Sequence, residues 1–146
     1  MSCLSLANQQ QFITGMTGVY SVAAELSSKG YIVTLTARNA PIVDMMVATP
    51  DLKKTFNVQV KSNKPKEMGG TQAYWLVNKE AREIVSPNLV YVFVNLKKKE
   101  KPDFYIVDSK SVAKDTELYT ASSGERFYQF YRDAHANCKD NWGLFE

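Results

Sequence analysis

The sequence predicts a mixed α/β fold, in which a mixed central sheet is flanked by helices. Three observations support this prediction. Apolar residues recur at helical spacing near the N-terminus, several short runs of β-branched and aromatic residues follow, and a helix-like aromatic pattern returns near the C-terminus. The order of these elements is helix, three strands, weak helix, two strands and helices, which is typical of a sheet covered by helices.

The first element is a helix over residues 9–29. Phe12, Val19, Val22 and Leu26 recur at helical spacing, and a glycine after position 29 supplies a stop signal. Gly15 and Gly18 would each weaken an isolated helix by about 1 kcal/mol. We therefore expect both glycines to allow close packing of this helix against the sheet.

Three strands are predicted next, over residues 31–36, 42–48 and 55–62, and they form an antiparallel meander. The later elements are a polar loop (63–71), a short extended piece (75–77), a helical turn (79–84), strands at 89–96 and 104–107, a short helix capped by Ser109 and reaching 113–114, and a last helix within 124–137. Trp142 and Phe145 are expected to fold the C-terminal tail back onto the core.

Length and composition restrict the class of protein. The chain has 146 residues, 45% of them hydrophobic, and a formal net charge of +3, so we expect one domain over residues 1–146 and not a disordered chain. No apolar run approaches the roughly 20 residues that span a bilayer, and the first residues lack the basic region of a signal peptide. Cys3 and Cys138 do not form a disulfide framework. These observations predict a cytoplasmic protein with no membrane partner.

Polar side chains interrupt two strands that otherwise read as buried. Asp44 lies among apolar residues, while Gln59 and Lys61 alternate with Val58 and Val60. Since strand side chains alternate between faces, Gln59 and Lys61 point the same way. An acid, an amide oxygen and an ammonium that converge can hold a divalent cation and polarise a phosphate. The first helix adds Glu25, whose carboxylate is predicted to point toward the same corner.

This order of motifs resembles the PD-(D/E)xK nuclease superfamily, which includes restriction endonucleases and archaeal Holliday junction resolvases. The shared pattern is a helix with Glu, a strand with Asp and a strand ending in acid-x-Lys or Gln-x-Lys, and the chain is similar to small uncharacterised bacterial members. The resemblance implies a restriction endonuclease-like α-β-β-β-α-β core. The sequence departs from the pattern because Val43 replaces the loosely kept proline and Gln59 replaces the second acid.

The resemblance also implies roles for individual residues. Glu25, Asp44, Gln59 and Lys61 would be catalytic, and Asp44, Gln59, the Val60 carbonyl and Glu25 would hold Mg²⁺ or Mn²⁺. The reaction would be metal-assisted hydrolysis of a DNA phosphodiester bond. A chain of this size covers little DNA, so a homodimer or a partner protein is a further expectation.

Two other interpretations remain open. A catalytically inactive module would keep the fold and bind nucleic acid or protein, whereas an unrelated α+β domain with a chance motif would show no convergence of these side chains. His135 and Cys138 are too few for a zinc site and are interpreted as ordinary surface or tail residues. The lysine run at residues 97–101 is interpreted as a solvated turn, and Lys64 and Lys66 are better placed for DNA.

Overall fold

The computed structural model describes residues 5–37 and 40–146. The predictions for Cys3 and for part of the 37–41 connection therefore lie outside the described residues. The elements are α1 (Leu6–Ser28), β1 (Ile32–Leu35), β2 (Met45–Ala48), β3 (Thr55–Asn63), β4 (Tyr74–Val77), β5 (Leu89–Asn95), β6 (Asp103–Asp108), α2 (Ser109–Asp115), β7 (Glu117–Thr120) and β8 (Arg126–Tyr131). Three 3-10 helices span Lys79–Arg82, Asp133–Cys138 and Trp142–Phe145.

The central sheet has five strands in the order β1-β2-β3-β5-β6. Strands β1, β2 and β3 form the predicted antiparallel meander, β5 lies parallel to β3, and β6 is antiparallel to β5. Parallel neighbours need a crossover connection. Here the crossover from β3 to β5 consists of β4 and the Lys79–Arg82 3-10 helix, where the predicted core has an α-helix. The predicted mixed sheet is therefore confirmed.

Helix α1 covers one face of this sheet. Its side chains Val19, Val22 and Leu26 are buried in one core with alternate residues of β3 and β5. Gly18 lies directly against β3, because a Cβ atom built at Gly18 would stand 1.6 Å from the Ser62 Oγ. The close approach expected of the glycines thus occurs at Gly18, whereas a Cβ at Gly15 would meet nothing within 4 Å.

A second sheet, in the order β4-β8-β7, covers the other face. Phe93 of β5 joins the two sheets, since its ring stacks on Phe130 at a centroid distance of 4.4 Å and lies 5.1 Å from Trp75. Val112 of α2 packs into the same core. Every residue of β5 is buried, which explains why its sequence is almost continuously apolar.

The C-terminal tail folds back as predicted. Phe145 is fully buried beside Phe56, with ring centroids 5.2 Å apart and nearly perpendicular, and Trp142 packs against Phe104. The Lys54 ammonium donates a hydrogen bond to the Glu146 backbone carbonyl at 2.9 Å. The tail therefore closes the core at the end of the sheet opposite Asn63.

Two predictions about β2 and α2 need correction. Strand β2 begins at Met45 and not at residue 42, because Ile42 has a left-handed φ of 71° and the Val43 N–H bonds the Pro41 carbonyl. The cap of α2 is Asp108 rather than Ser109, since the Asp108 carboxylate accepts a hydrogen bond from the Ser111 N–H at 2.8 Å.

The predicted last helix over residues 124–137 is wrong. The segment forms β8 followed by a 3-10 helix, and β8 pairs with both β4 and β7, a strand that was not predicted. Aromatic residues favour strands. In β8, Phe130 faces the inner core while Phe127 and Tyr131 lie on the opposite face of the sheet. His135 is buried and not on the surface, and its ring nitrogens contact the Tyr131 carbonyl and the Asp115 carboxylate.

The contact between Gly18 and Ser62 yields a stability prediction with an internal control. We expect Gly18→Ala to lower the free energy of unfolding by about 1–3 kcal/mol, because the new methyl group overlaps Ser62 and must push α1 from β3. Gly15→Ala, one turn earlier and facing open space, should be neutral or stabilising by up to about 1 kcal/mol. Urea denaturation of both variants measures the difference, and equal effects would contradict the close approach at Gly18.

Candidate active site

A large cleft lies at the end of β3, between the first half of α1 and β4. It has a volume of about 780 Å³ and is lined by Asp44, Gln59, Val60 and Lys61 together with residues of α1 and β4. Three of the four predicted catalytic side chains thus share one cleft. The geometry that brings them together begins where β2 separates from β3.

The Asp44 side chain replaces the next backbone hydrogen bond in the ladder between β2 and β3. The Asp44 N–H bonds the Val58 carbonyl at 2.8 Å, and then the Asp44 Oδ2 accepts a hydrogen bond from the Val60 N–H at 2.7 Å. Burial raises the pKa of the Asp44 carboxyl above its ordinary value, although the Val60 hydrogen bond and the nearby Lys61 charge lower it in part. The carboxylate is therefore placed at the floor of the cleft with one oxygen bound by the backbone.

Gln59 and the Val60 carbonyl supply two further oxygens. The Gln59 Nε2 donates to the Val60 carbonyl at 3.4 Å, so the amide oxygen of Gln59 remains for a ligand. The N–H and C=O of a strand residue point to the same neighbour. Because the Val60 N–H points to Asp44, the Val60 carbonyl also lies on the side that β2 has left.

Lys61 follows on the same face of β3 as Gln59, since the two residues pair with Phe93 and Tyr91 of β5. Among the described residues, no hydrogen bond or ion pair reaches the Lys61 ammonium. Burial lowers the pKa of Lys61, while the Asp44 and Glu80 charges oppose that shift. A half-buried cation that, among the described residues, no carboxylate contacts directly is suited to receiving an anionic group.

Glu25 does not lie with these residues. Its carboxylate is bound by the Lys101 ammonium at 2.9 Å and lies 3.7 Å from Lys29. The cleft is lined by α1 residues from Ala7 to Val19, and an α-helix rises about 1.5 Å per residue, so Glu25 stands about 16 Å along the axis from Thr14. The structure thus places the predicted helix carboxylate outside the cleft.

Sequence reasoning missed the residues that α1 does contribute. Gln10, Gln11 and Thr14 line the cleft. Gln10 and Gln11 lie four and three positions before Thr14, so both share a helix face with it. Polar residues at this spacing near the start of a helix, on the side of the close-packing Gly18, were the available signal.

The oxygen atoms at the site are of the type that binds a hard divalent cation, but they carry little negative charge. Carboxylate, amide and carbonyl oxygens are the ligands that Mg²⁺ and Mn²⁺ prefer. Asp44 is the one carboxylate among the described residues that line the cleft, and within residues 5–37 and 40–146 no group of three or more His, Cys, Asp and Glu side chains is arranged to hold a metal. A cation there would draw its remaining ligands from water and substrate.

The arrangement of α1 on a five-stranded mixed sheet that begins with a β-meander defines the restriction endonuclease-like fold. The bacterial homing endonuclease I-Ssp6803I has a similar structure, with a TM-score of 0.56 and 14% sequence identity over 90% of this chain and 87% of that chain. The Holliday junction resolvase Hjc of the archaeal hyperthermophile Archaeoglobus fulgidus gives a TM-score of 0.46 and 10% identity over 81% of this chain and 91% of that chain.

No protein-family model matches the sequence, and no curated protein is significantly similar to it. The likeness to the homing endonuclease confirms the predicted fold, and at this level of identity it concerns the fold alone. In the described part of the chain, none of the helices has the length and apolar character needed to cross a membrane.

The environment of Lys61 predicts a gain in stability when its charge is removed. Because burial lowers the pKa of Lys61, the folded state is penalised wherever this side chain is charged. We expect Lys61→Met to raise the free energy of unfolding by about 0.5–2 kcal/mol at pH 7. The gain should shrink as the pH rises from the lowered pKa toward 10.5, since the wild type then folds with a neutral lysine.

Urea denaturation at several pH values measures this effect. Lys53→Met is the matched control, because Lys53 is exposed on the turn between β2 and β3 and should change stability little at any pH. A loss of stability in Lys61→Met at pH 7 would contradict the proposed destabilisation of the folded state by the desolvated lysine charge.

Proposed function

We propose that this protein is a divalent-metal-dependent nuclease that hydrolyses DNA phosphodiester bonds. The observation that carries the proposal is the meeting of Asp44, Gln59 and Lys61 in one cleft, at the point where β2 separates from β3. The restriction endonuclease-like fold, shared with a homing endonuclease, supports the choice of DNA as substrate. The biological context would be defence, repair or a mobile element.

Each residue would have a separate task in hydrolysis. Asp44, the Gln59 amide oxygen and the Val60 carbonyl would hold Mg²⁺ or Mn²⁺. The cation would lower the pKa of a bound water and offset the charge that develops on the phosphate. Lys61 would donate hydrogen bonds to the attacking water or to a phosphate oxygen, and its partial burial strengthens that electrostatic contact.

Glu25 has no task in this proposal as the protein is folded here. Its carboxylate is neutralised by Lys101, and the α1 side chains at the cleft are the amides Gln10 and Gln11 and the hydroxyl Thr14. These groups would contact the substrate or metal-bound water as neutral donors and acceptors. Asp44 would then be the one protein carboxylate that binds the metal.

The low charge of the site also favours a second candidate function. Among the described residues, the cleft has one carboxylate, and burial raises the pKa of that group. A site with so little negative charge binds a hard cation weakly. A catalytically inactive module that binds nucleic acid through Lys61 would need no metal, so it is the alternative that the following assay distinguishes.

Cleavage of mixed DNA substrates in Mg²⁺ or Mn²⁺ tests the proposal. We expect metal-dependent cutting by the wild type and a fall of at least about 100-fold in rate for Asp44→Asn and for Lys61→Ala, because each removes charge aimed at the reacting phosphate. Glu25→Gln should retain activity. Folded wild-type protein that binds DNA without cutting it in either metal would favour the inactive module, and loss of activity in Glu25→Gln equal to that of Asp44→Asn would return Glu25 to the site.

A second carboxylate at position 59 should strengthen the metal site. We expect Gln59→Glu to lower the Mg²⁺ concentration that gives half-maximal cleavage by about 10-fold, since ligand charge governs the affinity for a hard cation. Gln9→Glu is the control, because it adds the same charge at an exposed position of α1 that does not line the cleft. An unchanged metal requirement in Gln59→Glu would exclude the amide from the metal's ligands.

A further inference from the structure

A second concave surface lies beside the cleft, at the same end of the sheet. It is formed by the loop between β3 and β4 and by the turn between β5 and β6, and it encloses about 530 Å³. We call it the lysine groove, because Lys66, Lys97, Lys98 and Lys99 line it. Strands β3 and β5 are parallel, so the segments that follow them leave the sheet side by side.

Hydrogen bonds fix the two segments in this position. The Asn63 side chain donates to the Tyr74 carbonyl at 2.7 Å and to the Asn95 side chain at 3.3 Å, and Asn95 donates to the Gln72 carbonyl at 3.2 Å. On the far side, the Arg132 guanidinium donates to the Thr71 hydroxyl at 2.6 Å. Both ends of the loop between β3 and β4 are therefore held next to the turn between β5 and β6.

The charges of the groove divide into compensated and uncompensated lysines. Lys97 lies 3.1 Å from the Asp103 carboxylate and 3.6 Å from that of Glu100, and Lys101, on the same turn, is paired with Glu25. By contrast, Lys66, Lys98 and Lys99 form no ion pair with any residue that the structure describes. Four lysines and two carboxylates line the groove, so its net charge is positive and this surface favours a polyanion.

The groove is continuous with the candidate active site. Lys64 lines the cleft and Lys66 lines the groove, and two residues of chain span at most about 7 Å. Gly69 and Gly70 of the loop also line the groove, and Cβ atoms built there would meet nothing within 4 Å, so no neighbouring atom obstructs the approach of a ligand at these positions.

We propose that the lysine groove binds the phosphate backbone of DNA next to the cleft, with Lys66, Lys98 and Lys99 each contacting a phosphate. The path of the DNA from the cleft into the groove rests on the proposed function, whereas the binding itself does not. Lysines act as point charges toward phosphates, so the groove supplies position and affinity rather than sequence recognition.

Binding of a short DNA duplex, measured by fluorescence anisotropy in metal-free buffer at several salt concentrations, tests this proposal. The plot of log affinity against log salt concentration has a negative slope. For the Lys66→Gln, Lys98→Gln, Lys99→Gln triple variant we expect this slope to be smaller in magnitude by about 2.7. Between 50 and 200 mM salt the wild type would then lose about 40-fold more affinity than the variant does.

The matched control removes three exposed lysines at the opposite end of the sheet. Lys53 lies on the β2–β3 turn, and Lys110 and Lys114 lie on α2; in the described parts of the chain none of the three forms an ion pair. Equal losses in the two triple variants would overturn the proposal, because the effect would then be one of net charge. Absence of DNA binding by the wild type would also overturn it.

Cleavage assays keep this result distinct from that of the proposed function. Retained cutting by the wild type with unchanged DNA affinity in the groove variant would reject the groove and leave the nuclease standing. Loss of affinity in the groove variant, with no cutting by the wild type in Mg²⁺ or Mn²⁺, would support the groove and favour the non-cleaving module. In a cleaving protein, the groove variant should need more DNA for half-maximal rate and keep its rate at saturation.

Discussion

The hydrogen bond between the Asp44 carboxylate and the Val60 N–H is the interaction on which the candidate site depends. The left-handed backbone at Ile42 turns the chain away from β3, so β2 begins only at Met45. The Asp44 side chain then satisfies a backbone donor that the ladder would otherwise leave unpaired in a half-buried position. The same event uncovers the Val60 carbonyl, and it places an acid, an amide and a lysine around one point.

The rigidity of that point comes from the two cores on either side of the sheet. Strand β5 is buried on both faces, and β3 pairs with it from Asn57 through Asn63. Helix α1 closes on β3 at Gly18, while Phe93 ties β5 to the second sheet. Functional groups held on such strands are positioned more narrowly than groups on loops. As a consequence, Asp44 and Lys61 are partly desolvated. Desolvation raises the pKa of Asp44 and lowers the pKa of Lys61, and both shifts favour the neutral form of the group.

The sequence could predict those elements in which apolar residues recur at a short, regular spacing along the chain. Alternation in β3 was sufficient to place Gln59 and Lys61 on one face, and the meander required only strand and turn signals. Glu25 shows where this reasoning ends, because helical periodicity fixes the face of a residue and not its height above the sheet. The position of α1 along the sheet is set by tertiary packing, which includes the close approach of Gly18 to Ser62 and the burial of Val22 and Leu26. Phe127, Phe130 and Tyr131 fitted a helical stripe equally well, and only their pairing with β4 and β7 decides that they form a strand.

The balance of charge around the cleft would couple the binding of a metal ion to the binding of DNA in the proposed nuclease. Asp44 and Lys61 nearly cancel, and the lysine groove makes the neighbouring surface positive, so a phosphate can approach with little opposition. A cation at Asp44 would have too few protein ligands to bind firmly alone, and Mg²⁺ commonly completes its coordination with substrate phosphates. Metal and DNA would then each raise the affinity of the protein for the other by the same factor, since such coupling is reciprocal. A nuclease with Gln59 in place of a second acid would thus be occupied by metal mainly when DNA is already in the cleft.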